Sequence, residues 1–263
     1  MFVPSSARPA VRRVGVPGKL GRVRIEEHEV RSRLVDPRHD GVRLAHLSDI
    51  HAGPRLRPRR LLKAIDLVNR MRPDAVVLTG DYVCASSRPI PLLIEAFRRL
   101  EVPAWATLGN HDYWTGAELV VQALEQAGVR VLRNASDVFE IAGAPLHLVG
   151  IDDHRTGHAD TAAAFHGVGA GGTRLAFTHD PNVADELAGE SVALVLAGHT
   201  HGGQIRLPRL TAEIARRVGV KYLAGFFQLG ETLLYVNRGL GAAVPVRLAA
   251  PMEIAFFTLR PAG

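Results

Sequence analysis

Five short segments of the sequence carry side chains that bind divalent metals, and each follows a stretch expected to be a β-strand. They are Asp49-Ile50-His51, Gly80-Asp81, Gly109-Asn110-His111-Asp112, His179 and Gly198-His199-Thr200-His201. Oxygen and imidazole ligands without thiolate admit Mn, Fe, Zn, Co or Ni and disfavour purely Mg or Ca sites. The segments offer enough ligands for two metal ions, with one histidine left over.

The elements that must position these side chains alternate between strands and helices. We predict strands at 42–47, 75–79 and 104–108, and helices at 58–71, 91–100 and 115–127, with Thr115 as an N-cap. This alternation predicts βαβ units and parallel strand pairs. Asp49, Asp81 and Asn110 each follow one of these strands, so we expect them at the same edge of the sheet.

The second half of the sequence has shorter predicted strands. They lie at 129–132, 138–141, 146–150, 175–178, 193–197, 204–207, 223–228, 232–237 and 253–259. His179 and His199 each follow one of them, so all five segments can converge. His179 has no spacing signature of its own, and His154 and His166 are its rivals. Without a repeat or a long linker, we predict one α/β domain at 41–260, preceded by an N-terminal extension at 1–40.

The composition is that of a globular protein with a basic surface. The 263 residues are 47% hydrophobic with a mean hydropathy of +0.06, a net charge of +6 and a pI near 10.1. No run of about eighteen apolar residues is present, and the single Cys84 fits a reducing compartment, so we expect a cytoplasmic protein. The charge favours anionic partners such as phosphate esters, nucleic acid or acidic lipids, although an ordinary basic surface explains it as well.

In this order the five segments resemble the motifs of the calcineurin-like metallophosphoesterases, D-x-H, G-D, G-N-H-(D/E), H and G-H-x-H. The resemblance implies a sandwich of two mixed β-sheets flanked by helices, and two divalent ions per chain (Mn, Fe or Zn). The implied ligands are Asp49, His51 and His201 for one ion, Asn110, His179 and His199 for the other, and Asp81 for both. His111 is implied to protonate the leaving oxygen or stabilise the transition state, with Asp112 orienting it.

Elementary chemistry is consistent with that assignment. Two divalent ions about 3.5–4 Å apart repel strongly, so a shared carboxylate and a bridging hydroxide must lie between them. The hydroxide would attack phosphorus in line while the metals neutralise the phosphoryl oxygens. The sequence therefore predicts a metal-dependent hydrolase of a phosphate ester or anhydride, and a resemblance of the C-terminal part favours a phosphodiester or pyrophosphate bond over a monoester.

The C-terminal part carries a narrower resemblance. Residues 235–241, 245–247 and 251–254 resemble a bacterial, often membrane-associated branch that includes phosphodiesterases and UDP-2,3-diacylglucosamine pyrophosphatases of lipid A synthesis. This implies a small-molecule or lipid-linked phosphoester substrate. A nuclease is one alternative, weakened by an aromatic content of only 6%. A non-catalytic binding protein with a vestigial site is the other.

Four further residues are candidate substrate contacts. Arg55 and Arg57 either clamp phosphate or belong to a solvated helix start. Asp153 and His154 either line the mouth of the site or form a simple turn. Residues 206–221 mix basic and apolar side chains, which is typical of a helix on an anionic membrane and equally of a half-buried surface helix. Peripheral contact with the inner face of the membrane and the oligomeric state stay open.

Overall fold

The computed structural model describes residues 11–13, 18–20, 23–53, 56–187, 189–205, 208–242 and 246–262. The strands are β1 Val11–Arg13, β2 Gly18–Leu20, β3 Val23–Ser32, β4 Arg43–Leu47, β5 Ala75–Thr79, β6 Ala104–Thr107, β7 Val129–Val131, β8 Ala135–Ile141, β9 Ala144–Gly150, β10 Thr173–Phe177, β11 Leu194–Ala197, β12 Gly225–Leu229, β13 Thr232–Val236 and β14 Met252–Pro261. The helices are α1 Pro58–Met71, α2 Ile90–Phe97, α3 Asn110–Gln126, α4 Thr161–Phe165 and α5 Pro208–Arg217. Short 3-10 turns lie at Pro37–His39, Pro181–Leu187 and His201–Gly203.

The described strands form two mixed sheets. The larger has the order β1-β3-β14-β4-β5-β6-β7, with β2 also paired to β3, and the smaller has the order β12-β13-β11-β10-β9-β8. Strands β4 to β7 run parallel, as do β9, β10, β11 and β13, while β14 is antiparallel to β4. The predicted α/β sandwich of two mixed sheets in a single domain is confirmed.

Strand β5 and helix α1 show how the sequence builds these layers. Every residue of β5 is buried, as expected for a parallel strand covered on both faces. Helix α1 turns Leu61 and Ile65, four positions apart, toward the sheet. Pro58 occupies its first turn, where a missing N–H costs nothing, and Arg72 ends it in the left-handed conformation.

An apolar layer between the two sheets holds them face to face. The larger sheet contributes Leu44, Val77 and Trp105 to this layer, and the smaller contributes Phe177 and Leu196, all at most 1% exposed. A second layer lies between the larger sheet and helices α1 to α3, and a third covers the smaller sheet. Because this packing is dense, the ends of strands from both sheets are held at fixed positions relative to each other.

The start of helix α3 differs from the prediction. Thr115 is not its N-cap, because the helix begins at Asn110, and Gly116 interrupts it with a φ of 130°. The early start has a local cause: the Asp112 carboxylate accepts a hydrogen bond of 2.9 Å from the Gly109 N–H group. A carboxylate in the first helical turn satisfies an amide that the helix itself leaves unpaired.

Two further segments bear on the predictions: strand β3 and residues 204–207. Strand β3, within the predicted extension at 1–40, pairs with β14 along its whole length. The domain boundary at residue 40 stays a prediction. Of the strand predicted at 204–207, Ile205 forms a single bridge to Leu248, and residues 206–207 lie outside the described residues. No described helix is long and apolar enough to cross a membrane.

Candidate metal centre

The carboxyl ends of five strands from both sheets meet at one edge of the sandwich. Strands β4, β5 and β6 belong to the larger sheet, and β10 and β11 belong to the smaller. The predicted ligands follow these strand ends, and six of them are at most 6% exposed: Asp49, His51, Asp81, Asn110, His179 and His201. His199 is the seventh and is partly exposed. Polar side chains with so little exposure need partners, so their convergence indicates a site.

The Asp81 carboxylate lies between histidines from the two sheets. Its Oδ2 atom is 3.4 Å from Nε2 of His51 and 3.3 Å from Nε2 of His179. The same oxygen therefore faces one imidazole from each of two ligand sets. That Asp81 is a ligand shared by two cations stays a prediction.

The ligand atoms of the first predicted set, Asp49, His51 and His201, lie close together. Nε2 of His201 lies 3.1 Å from Nε2 of His51 and 3.3 Å from Oδ1 of Asp49, and in the part of the chain that the structure describes that Oδ1 atom has no hydrogen-bond partner. With Asp81 included, one ligand atom from each of the four residues lies within 4.8 Å of the others. Ligands bonded at about 2.1 Å to a tetrahedral ion stand about 3.4 Å apart. Asp49, His51, Asp81 and His201 thus fit a divalent ion.

The second predicted ligand set consists of His179, His199 and Asn110. Nδ1 of His199 lies 3.2 Å from Nε2 of His179, while the buried Oδ1 atom of Asn110 has no hydrogen-bond partner among the described residues. The two rivals of His179 in the sequence, His154 and His166, are exposed, whereas His179 is fully buried. A buried amide oxygen without a partner costs about 1–3 kcal/mol, so an unbonded acceptor here suits a cation ligand.

The backbone of these loops is strained. Asp49, His51, Asp81, His199 and His201 all have positive φ values, between 43° and 69°. A non-glycine residue in this left-handed region costs about 1 kcal/mol or more. Strain of this kind persists where the surrounding structure imposes it, and here it falls on five of the seven predicted ligands.

Burial keeps the imidazoles of the first set neutral. It lowers the pKa of His51 to about 4, although the charge of Asp81 opposes the shift. Burial together with the Arg247 guanidinium lowers the pKa of His201 to about 3. Burial alone would raise the pKa of Asp81, but the charges of His179, His51 and His111 and a hydrogen bond with His179 together hold that pKa below its usual value. Neutral imidazole and ionised carboxylate are the forms that bind metals.

Ser48, which lies outside the motifs, and Gly198, which begins the last of them, shape the Asp49 loop. The Ser48 hydroxyl donates to Oδ2 of Asp49 at 2.6 Å, which fixes the carboxylate. Gly198 passes so close that a Cβ atom there would stand 2.5 Å from the same oxygen. Only glycine permits this approach between the two sheets.

His111 is oriented by a different group from the one the sequence suggested. Its Nδ1 atom lies 2.6 Å from the carbonyl oxygen of Cys84, so Nδ1 donates and Nε2 is the nitrogen left to act on substrate. The prediction that Asp112 orients His111 needs correction, because the Asp112 carboxylate instead accepts backbone N–H groups. These donors are Asp81, Tyr82, Val83 and Gly109, at 2.8–3.3 Å.

Asp112 therefore connects the loop at residues 81–83 with the loop at Gly109. Burial and the Asp81 charge raise its pKa to about 8, and the backbone hydrogen bonds oppose that rise. Helix geometry explains why Asp112 and His111 have different partners. They are adjacent on α3, so their side chains point about 100° apart around the helix axis. One faces the ligands and the other faces the loop beneath them.

The predicted substrate contacts divide between exposed and buried positions. Arg57 and His154 are exposed, and Arg55 lies outside the described residues. Asp153 is fully buried, and its Oδ2 atom accepts hydrogen bonds from the backbone and hydroxyl of Thr156, both at 2.7 Å. Asp153 thus holds a turn. The substrate-binding role of all four residues stays a prediction.

Arg247 is a neighbour of the metal centre that the ligand motifs do not reveal. Its Nη2 atom lies 2.8 Å from Nδ1 of His201 and also donates to the Gly241 carbonyl. It belongs to the C-terminal segment whose resemblance to a bacterial branch was visible in sequence, but nothing in that pattern predicts a contact with His201. Its positive charge adds to the attraction of the site for anions.

Comparison with known proteins decides the family. The model of the calcineurin-like phosphoesterase family matches residues 42–203, which contain all seven predicted ligands. The chain belongs to this family. It is a metal-dependent phosphoesterase, a hydrolase, and the family requires two metals.

Relatives extend the likeness beyond the matched region. The chain is 33% identical over 245 residues to the uncharacterized metallophosphoesterase YkuE of Bacillus subtilis, covering 89% of this chain and 84% of that protein. It is 32% identical over 229 residues to phosphodiesterase YaeI of Escherichia coli, covering 82% of each. A 5'-nucleotidase precursor from Thermus thermophilus shares the fold, with a TM-score of 0.51 at 16% identity over 81% of this chain and 54% of that one.

Proposed function

We propose that this phosphoesterase binds two divalent ions and hydrolyses a phosphodiester or pyrophosphate bond. The observation that carries the proposal is the position of Oδ2 of Asp81, 3.4 Å from His51 and 3.3 Å from His179. Together with Asp81, one ion would be bound by Asp49, His51 and His201. The other would be bound by Asn110, His179 and His199. Mn, Fe and Zn all suit this mixture of nitrogen and oxygen ligands.

The chemistry divides between the ions and the chain. Two bound ions would supply a hydroxide nucleophile near neutral pH and neutralise the phosphoryl oxygens. His111, with Nδ1 held by the Cys84 carbonyl, presents Nε2 to donate a proton to the leaving oxygen. Arg247 adds a fixed positive charge beside His201.

A cavity beside the ligands supports a substrate with an organic substituent. Its volume is about 400 Å³, and its lining joins Asn110, His111 and His199 to helix α5. Three apolar lining residues, Trp114, Ile214 and Val218, are 64%, 51% and 68% exposed. The α5 segment therefore forms the wall of an apolar groove, and a small-molecule or lipid-linked phosphoester fits it.

The lipid-linked candidate is a UDP-2,3-diacylglucosamine pyrophosphatase activity. The exposed apolar side chains at the mouth favour it, because an acyl chain or the inner face of a membrane would cover them. Peripheral membrane contact belongs to this candidate. A phosphodiester substrate is supported by the relative YaeI, which is named a phosphodiesterase.

Turnover of a substrate panel tests the proposal. The Mn²⁺-loaded protein is expected to hydrolyse bis(p-nitrophenyl) phosphate, and we expect slower release from p-nitrophenyl phosphate, a monoester. UDP-2,3-diacylglucosamine tests the lipid-linked candidate, and plasmid and oligonucleotide test the nuclease alternative. Degradation of nucleic acid alone would replace the proposal with a nuclease. If protein that holds two metal equivalents turned over none of these substrates, the result would support the alternative of a non-catalytic binding protein with a vestigial site.

A further inference from the structure

A second cavity lies on another side of the metal centre, between the beginnings of α1 and α2. Its volume is about 650 Å³, which is larger than the cavity beside α5. We call it the Cys84 cavity. It is lined by Ala52, Gly53, Pro58, Cys84, Ala85, Ser86, Arg88, Pro89 and Leu92.

The Cys84 cavity adjoins the centre at Cys84, which lines the cavity. One ligand atom each of Cys84, His51 and His111 lies within 4.8 Å of the other two. The Cys84 carbonyl also holds the His111 ring at 2.6 Å. Ala52, a second lining residue, directly follows His51 in the chain. A group attached to a phosphoryl centre among these histidines would therefore lie beside Cys84, which also lines the cavity.

The lining selects an apolar occupant. Among its described residues there is no carboxylate, and Arg88 is the one cation. Alkyl surface comes from Ala85, Pro58, Pro89 and Leu92, and the side chain of Leu92 also packs against the core. Cys84, Ser86 and Arg88 are the lining residues with polar side-chain atoms, so a sugar or nucleobase would find few side-chain hydrogen-bond partners there, which is costly for groups that lose water. An alkyl chain loses nothing by the same transfer.

The two cavities correspond to the two substituents of a diester. A phosphomonoester has one organic substituent, and a phosphodiester has two. The α5 cavity includes His111 and His199 in its lining, and the Cys84 cavity lies behind Cys84. A phosphodiester held at the metals can thus place one substituent in each.

We propose that the Cys84 cavity receives an apolar, alkyl-sized substituent of the substrate, which makes the substrate class an amphiphilic phosphodiester. This inference rests on the proposed phosphodiesterase function. Hydrolysis adds water across one P–O bond, releasing one substituent as an alcohol and leaving the other on a phosphomonoester. The apolar group raises affinity and takes no part in that step.

Chain-length dependence provides the first test. For methyl, butyl and octyl 4-nitrophenyl phosphates, kcat/KM of the Mn²⁺-loaded protein is expected to rise at least about tenfold from methyl to octyl, since each buried methylene contributes up to about fourfold. Ala85→Trp fills the Cys84 cavity and Ala85→Asp places a carboxylate in it. Both are expected to lower the octyl-to-methyl ratio at least about fivefold. Ala162→Trp, at an exposed position on α4, is the matched control and should keep the wild-type ratio.

Protection of Cys84 provides a readout that does not depend on turnover. Cys84 is the single cysteine of the sequence and is partly exposed, so iodoacetamide labels one known site. Octyl phosphate is expected to slow this labelling at least about fivefold at concentrations where methyl phosphate has little effect.

The outcomes separate this inference from the proposed function. If no diester is hydrolysed by protein with two bound metals, the proposed function fails. If the methyl ester is hydrolysed but chain length has no effect on kcat/KM or on labelling, only the cavity assignment fails. A chain-length preference that survives both Ala85 variants and disappears in Ile214→Glu would also overturn it, by placing the alkyl group in the α5 cavity.

Discussion

Replacing Asp81 with alanine is expected to lower turnover of bis(p-nitrophenyl) phosphate at least about a thousandfold. Oδ2 of Asp81 faces His51 and His179 at 3.4 and 3.3 Å, so its removal takes a ligand from both predicted ions. It also leaves two cations with less negative charge between them, and loss of a single preorganised electrostatic contact already costs about 10²–10³ in rate. The measurement is kcat together with metal content per chain by mass spectrometry.

A surface carboxylate provides the matched control for that substitution. Asp40 is exposed, lies in an ion pair with Arg260 and precedes β4, whereas the nearest predicted ligand in sequence, Asp49, follows the opposite end of that strand. Asp40→Ala should keep wild-type turnover and two metals per chain. Wild-type turnover by the Asp81→Ala variant would contradict the shared-ligand assignment.

Replacing His111 with alanine is expected to have the second largest effect, and its size should depend on the leaving group. If Nε2 delivers a proton, kcat for a diester with a strongly basic alkoxide leaving group should fall about 10²–10⁴-fold. With 4-nitrophenolate, which leaves without a proton, the loss should be much smaller. The measurement is kcat for both substrates at equal metal content.

The split between the two leaving groups distinguishes proton donation from a structural role. A variant that merely disturbed the loop near Cys84 would slow both substrates equally. His166→Ala serves as control, because His166 is exposed and has no predicted role in the site, and it should leave both rates unchanged. An equal loss for both leaving groups in His111→Ala would exclude His111 as the proton donor.

Much of the fold could be predicted because its signals are local. The bounds predicted for α1 and β5 agree with the structure, since helical spacing, an initial proline and a continuous apolar run are all visible in sequence. The start of α3 could not be predicted in this way. It depends on the Asp112 carboxylate meeting the Gly109 amide, and the Thr115 signal misplaced it by five residues.

The candidate site shows the same division. The convergence of Asp49, Asp81 and Asn110 follows from parallel strands, which deliver successive loops to one edge. Contacts that form only through tertiary packing cannot be predicted from the spacing of residues in the sequence. The Arg247 contact with His201 and the Cys84 carbonyl beneath His111 depend on tertiary packing, and single-sequence patterns do not encode it.

Metal titration of activity tests the two-ion centre most directly. Protein stripped of metal with a chelator should be inactive toward bis(p-nitrophenyl) phosphate, and activity should rise with added Mn²⁺ until two equivalents per chain are bound. The seven-ligand arrangement around Asp81 predicts that plateau. Full activity of the metal-free protein, or a plateau at one equivalent, would contradict the account.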